Sequence, residues 1–76
     1  MRVHLGGHLN WFDANKRSWL DLPLTRPMRL TICLAELGVP AGEVAIVVVN
    51  QQAVTEADPL LADGDVVELF PPLGGG

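Results

Sequence analysis

Residues 66–76 read Val-Val-Glu-Leu-Phe-Pro-Pro-Leu-Gly-Gly-Gly (VVELFPPLGGG). The first five alternate: Val67 and Leu69 share one face, and Val66, Glu68 and Phe70 the other, as on a strand covered on one side. Pro71 and Pro72 lack backbone donors, so they end the strand and hold the next residues extended. Three glycines then close the chain. Ordering them would be entropically costly and would bury almost nothing. They are therefore either a frayed end or a tail whose value lies in having no side chains.

The remaining elements extend outward from this last strand. Val3 and Leu5 mark a short first strand, broken by Gly6-Gly7 as a bulge or a close backbone approach. Residues 13–16 (DANK) read as a hairpin tip. Leu20, Leu22 and Leu24 alternate as a second strand, with Pro23 pointing to an edge or a strand end. Pro27 suits a first helical turn. Leu30, Cys33, Leu34 and Leu37 then fall on one helical face, with Ile32 off that stripe and Gly38 as C-cap. This helix of about three turns needs packing to persist. Residues 44–49 (VAIVVV) predict a strand covered on both sides. Asn50-Gln51 predicts a turn and residues 52–54 a short return strand. Residues 55–62 read as loop containing Leu60-Leu61, and Asp63-Gly64-Asp65 as a turn that the two carboxylates cap.

The order strand, strand, helix, strand, short strand, strand predicts an α+β fold. A small mixed sheet would have one main helix crossing one face, and the last strand would lie beside the first. This is the β-grasp, or ubiquitin-like, arrangement. It is expected as one domain over residues 1–70, followed by a flexible tail over residues 71–76.

Composition narrows the function. The chain has 76 residues, 49% hydrophobic and 18% charged, which suits one folded domain rather than a disordered acidic segment. No apolar run approaches the roughly 18 residues of a membrane span, and the start lacks the apolar stretch of a signal peptide, so the expected location is cytoplasmic. The five basic residues all fall in residues 1–34, where two acids leave +3; residues 35–76 carry seven acids and no base. That distribution argues against nucleic-acid binding and allows docking on a basic protein surface. Cys33 is the only cysteine and, on the apolar helix face, is expected in the core. His4 and His8 lack a third ligand, so no metal site is expected. Trp11, Phe12 and Trp19 read as a satellite core, with a binding patch as the alternative. No nucleophile–base grouping, zinc-protease motif or phosphate loop is present.

With chemistry absent elsewhere, the tail stands out. Fully extended, residues 71–76 reach about 20 Å, and consecutive glycines can thread a narrow opening in another protein's active site. In this order, Val49-Asn50-Gln51, Leu61 before Asp63-Gly64-Asp65, residues 66–70, Pro71-Pro72 and Gly75-Gly76 resemble the MoaD/ThiS sulfur carriers. The likeness is strongest to the molybdopterin synthase small-subunit branch. The helix matches in outline. Arg29 stands where that family usually opens its helix with threonine or serine, so the capping bond must come from elsewhere, with Thr25 one source, or be absent. The diproline favours the molybdopterin-type branch over the thiamine-pathway one.

The resemblance implies a carrier rather than an enzyme. The Gly76 carboxylate would be adenylated by a ubiquitin-activating-type adenylyltransferase using ATP. A sulfur donor would convert it to a thiocarboxylate, which the molybdopterin synthase large subunit would use. The carrier itself would bind no cofactor. Phe70, with Val66, would anchor partners on the sheet face away from the helix. Pro71, Pro72, Leu73, Gly74 and Gly75 would occupy the partner's channel. The alternatives are a ubiquitin-like modifier joined to lysines through Gly76, a sulfur carrier for thiamine or cysteine synthesis, and an interaction module with an inert tail.

Overall fold

The computed structural model describes residues 1–72. Strands β1 (Arg2–Leu5) and β2 (Trp19–Asp21) pair antiparallel. After β3 (Met28–Arg29) and the helix α1 (Leu30–Leu37) come β4 (Ile46–Val49), β5 (Gln52–Ala53), β6 (Leu60–Leu61) and β7 (Val66–Phe70). Five of these strands form one mixed sheet in the order β2-β1-β7-β4-β5. The last strand does lie beside the first: β7 runs parallel to β1, with Val3 opposite Val67 and Leu5 opposite Leu69.

Alternation decides which face is covered. Val3, Leu5, Val67 and Leu69 are each 1% exposed and pack, with Leu20 from β2, beneath Leu30, Cys33 and Leu34 of α1. Burying each such side chain stabilises the fold by about 1.5–3 kcal/mol, so this layer dominates the stability of a small domain. Ile32 lies outside the stripe and is exposed, and Gly38 ends α1 in the left-handed conformation at φ 77°. Pro23 follows β2, which is an edge strand.

Four expectations for the fold need correction. Pro27 does not open the helix. Met28 and Arg29 instead pair with Leu61 and Leu60 in a second, two-stranded sheet, so α1 begins at Leu30 and spans eight residues. Leu60-Leu61 is accordingly strand rather than loop; its partner is distant in sequence, and two residues give no periodicity to read. β4 is covered on one face only. Val47 and Val49 pack toward the core, while Ile46 is exposed, because α1 is a single layer and no described element lies on the other side of the sheet. A β-branched run therefore signals a pleated surface here, not two-sided burial. Finally, Asp65 caps the 63–65 turn through the Ala62 N–H (2.8 Å), but Asp63 does not. Asp63 accepts from the Leu24 N–H (3.1 Å) and pairs with the Met1 ammonium (3.3 Å), and these two contacts lower its pKa.

The helix cap also comes from a distance. Arg29 makes no side-chain cap bond, and Thr25 is not the substitute. Asp58 accepts from the Thr31 N–H (2.9 Å) and the Thr31 hydroxyl (3.0 Å), while the Leu30 N–H donates to the Pro59 carbonyl (2.9 Å). A carboxylate at a helix start satisfies free donors and complements the helix dipole. Asp58→Ala is therefore expected to destabilise the fold by about 1 kcal/mol, seen as a fall of about 4–8 °C in Tm. An unchanged melting curve would show that the first turn does not need this carboxylate.

Asn50 and Gln51 form a two-residue hairpin turn, with φ of 51° and 70°. Asn50 also reaches the start of β7: its Oδ1 accepts from the Val66 N–H (3.0 Å) and its Nδ2 donates to Asp65 (3.0 Å). The β4–β5 turn and the 63–65 turn thus fasten to each other, and together they set the register in which β7 enters the sheet.

Candidate functional site at the end of the last strand

β7 carries its outward residues to the point where the chain leaves the sheet. Val66, Glu68 and Phe70 are half-buried on the face away from α1. Phe70 stands opposite Ile46 of β4, and its carbonyl accepts from the Ala45 N–H (2.8 Å). On the other side the Gly6 N–H donates to the Leu69 carbonyl (2.8 Å). The end of β7 is therefore held from both flanks. Pro71 is half-buried and Pro72 exposed. Leu73, Gly74, Gly75 and Gly76 lie outside the described residues.

Beside Phe70 the outer face carries further rings. His4 stands opposite Trp19 and Glu68, with its ring 4.7 Å from Trp19 and 6.0 Å from Phe70. The Arg2 guanidinium lies 4.6 Å above the Trp19 ring, and its Nε is 3.8 Å from Asp21. Phe70, Ile46, Trp19 and Val66 together give an uncovered sheet face with apolar content, interspersed with the charges of Arg2, Asp21 and Glu68. The register supplies this face, since each of these residues has an inward-facing neighbour one position along its strand.

The three aromatics of the hairpin do not form a satellite core. Trp11 is 71% exposed, Phe12 sits on a 3-10 turn (Leu9–Phe12) and is exposed, and Trp19 belongs to the outer sheet face. The connection is shaped instead by Asp13, whose carboxylate accepts from the Asn15 and Arg17 backbone N–H groups and from the Arg17 guanidinium. Hydrogen bonding to Arg17 holds the Asp13 carboxyl down at about 2. Among the described residues no three His, Cys, Asp or Glu side chains converge on one point; His4 faces the outer sheet surface and His8 reaches Glu43 (3.4 Å). Cys33 is buried, and burial pushes its thiol pKa up.

A single helix over a mixed sheet, with parallel first and last strands at its centre, defines a β-grasp protein; here the last strand delivers its outer face to a diproline. The chain belongs to the ThiS family, whose profile matches residues 9–76. That makes it a small sulfur carrier of the ubiquitin-like type. No curated protein matches it significantly. Among the described residues, no helix is long and apolar enough to cross a membrane.

Sequence reasoning finds β7 and the Phe70 face but misses the rings that flank it. It groups Trp19 with its neighbours in sequence rather than with its strand partner His4. The alternation of Trp19 and Asp21 with Leu20 and Leu22 is the signal that places it outward.

Proposed function

We propose that the chain carries sulfur on its C-terminal Gly76 carboxylate for a molybdopterin-type cofactor pathway in the cytoplasm. The observation that carries this reading is the ThiS-family match continuing through residue 76, past the diproline at 71–72. An ATP-dependent adenylyltransferase joins the carboxylate to AMP and releases pyrophosphate. The terminal sulfur of a donor persulfide attacks the acyl carbon and AMP leaves. A second thiol then cleaves the remaining S–S bond, forming a disulfide with the donor cysteine and leaving a thiocarboxylate. Adenylation supplies a good leaving group, and the thiocarboxylate is a strong nucleophile at neutral pH. The carrier needs no acid or base of its own, because partners supply them.

The uncovered sheet face is the docking surface in this reading, with Phe70 as anchor and Val66 at the other end of the same strand face. Pro71 and Pro72 keep the tail's base from collapsing onto the sheet, which lowers the ordering entropy lost when Leu73, Gly74 and Gly75 enter a partner's channel. The seven acids of residues 35–76 favour a basic partner surface.

Intact-mass measurement after incubation with the activating enzyme, ATP and a persulfide donor tests the proposal. The expected product has one oxygen replaced by sulfur. Transfer of that sulfur to a pterin precursor held by a synthase large subunit supports the molybdopterin-type branch. Transfer to a thiazole-forming system would assign the thiamine pathway instead, and covalent adducts on lysines would identify a modifier.

A further inference from the structure

Two glycines stand beside the exit of the chain, and neither has room for a side chain. A Cβ on Gly6 would lie 2.6 Å from Phe70 Cδ1 and 2.7 Å from the Leu69 carbonyl oxygen. A Cβ on Gly7 would lie 2.6 Å from Pro71 Cγ and 3.0 Å from Pro71 Cδ. Carbon atoms in contact normally keep about 3.5–4.0 Å apart. The crowding is local: a Cβ on Gly42 or Gly64 would meet nothing within 4 Å.

Both sides of this contact are anchored. The Gly6 N–H donates to the Leu69 carbonyl, the Gly6 carbonyl accepts from the Leu9 N–H (3.0 Å), and the Leu5 N–H donates to the Ser18 carbonyl (2.7 Å). Gly7 takes φ +54°, which turns the chain away just after the contact. Across from it, the Phe70 carbonyl is fixed by Ala45. Pro71 has no N–H with which to join the sheet, and its ring cannot rotate aside. On this side, contact with Gly7 is what limits its position.

We propose that Gly6 and Gly7 are positioning residues for the C-terminal carboxylate. They form a side-chain-free seat for Phe70 and Pro71, and the seat sets the direction in which the chain leaves the sheet. The inference rests on the carrier reading above. A methyl group in the seat would push the proline ring outward by rotation about the Phe70 Cα–C bond, because the Phe70–Pro71 peptide bond is planar and the proline φ is fixed. A fully extended chain from Pro71 would carry the carboxyl group up to about 20 Å from that pivot. Once the tail is held extended in a partner's channel, a small rotation there moves the reacting atom by ångströms, whereas activation needs reacting atoms brought to about 3–3.5 Å. Gly6 acts on the anchor ring and Gly7 on the tail.

A double-mutant cycle separates this role from a general loss of structure. Gly7→Asn adds a Cβ while suiting the left-handed backbone; Pro71→Ala removes the ring atoms it would strike. AMP transfer by the activating enzyme is followed as pyrophosphate release, with Tm measured in parallel. Gly7→Asn is expected to lower kcat about tenfold with KM and Tm close to those of the native chain. On the Pro71→Ala background the same change is expected to have little effect. Native kcat in Gly7→Asn, or an equal loss on both backgrounds, overturns the proposal. If Gly7→Asn does not fold, Pro71→Gly empties the seat from the other side, and native kcat there overturns it equally. In the free protein, nuclear Overhauser contacts from Gly7 Hα to the Pro71 ring are expected, and their absence removes the seat. A native chain that shows these contacts but accepts no AMP keeps the seat and loses the carrier reading.

Discussion

Deletion of Gly76, or addition of residues after it, is expected to abolish AMP and sulfur acquisition while leaving Tm unchanged. Each residue of extended chain spans about 3.3–3.6 Å, so deletion withdraws the carboxylate by more than the tolerance of an activating site. Misplacement by about 1 Å already lowers such rates by about a hundredfold, and here the loss should exceed that. An extension converts the Gly76 carboxylate to a peptide amide and carries the free carboxylate past the reacting position. Stability should not change with it, because the buried core ends at Leu69 and the last described strand ends at Phe70. Pyrophosphate release and intact mass measure the first effect, and thermal unfolding the second. Sulfur acquisition at the native rate by either variant would leave the terminal carboxylate without a role.

The second large effect is expected at Phe70. Its ring is half-buried, resting over Gly6 and opposite Ile46, so it has lost part of its water but keeps a face for a partner. Truncation of an aromatic anchor at an interface commonly weakens binding by about 2 kcal/mol or more, which is about thirtyfold in Kd. Truncation of a fully buried phenylalanine destabilises by about 3–5 kcal/mol, and a half-exposed one should lie well below that. Phe70→Ala is therefore expected to weaken binding to the activating enzyme by at least about thirtyfold with a modest fall in Tm. Titration calorimetry and denaturant unfolding on the same preparation compare the two. Native binding with a large loss of stability would make Phe70 a core residue and nothing more.

The legible part of the fold is local and periodic. The alternation of residues 66–70, the spacing of Leu30, Cys33 and Leu34, and Gly38 as a left-handed cap each express one physical rule within a few residues. The parallel β1–β7 pair comes from chain topology. The illegible part depends on partners far apart in sequence. Asp58 caps α1 through Thr31, twenty-seven positions earlier in the chain, where no local motif points to it. Met28-Arg29 is a strand only because Leu60-Leu61 lies beside it. The same limit applies to the site. Gly6-Gly7 is legible as an interruption with two readings, and only the contact with Phe70 and Pro71 decides for close approach. Trp19 is legible as an aromatic, but its place beside His4 is a property of the β1–β2 register.

Cys33 has a practical consequence. It is the chain's only cysteine, it is 1% exposed, and burial pushes its thiol pKa up. Alkylating reagents attack the ionised form, so in the folded protein this side chain is a silent background. Any sulfur gained at the chain end would then be the accessible sulfur nucleophile that an iodoacetamide or maleimide dye finds. Native labelling would count carrier molecules loaded with sulfur, and the further labelling on denaturation, one Cys33 per chain, would count all of them.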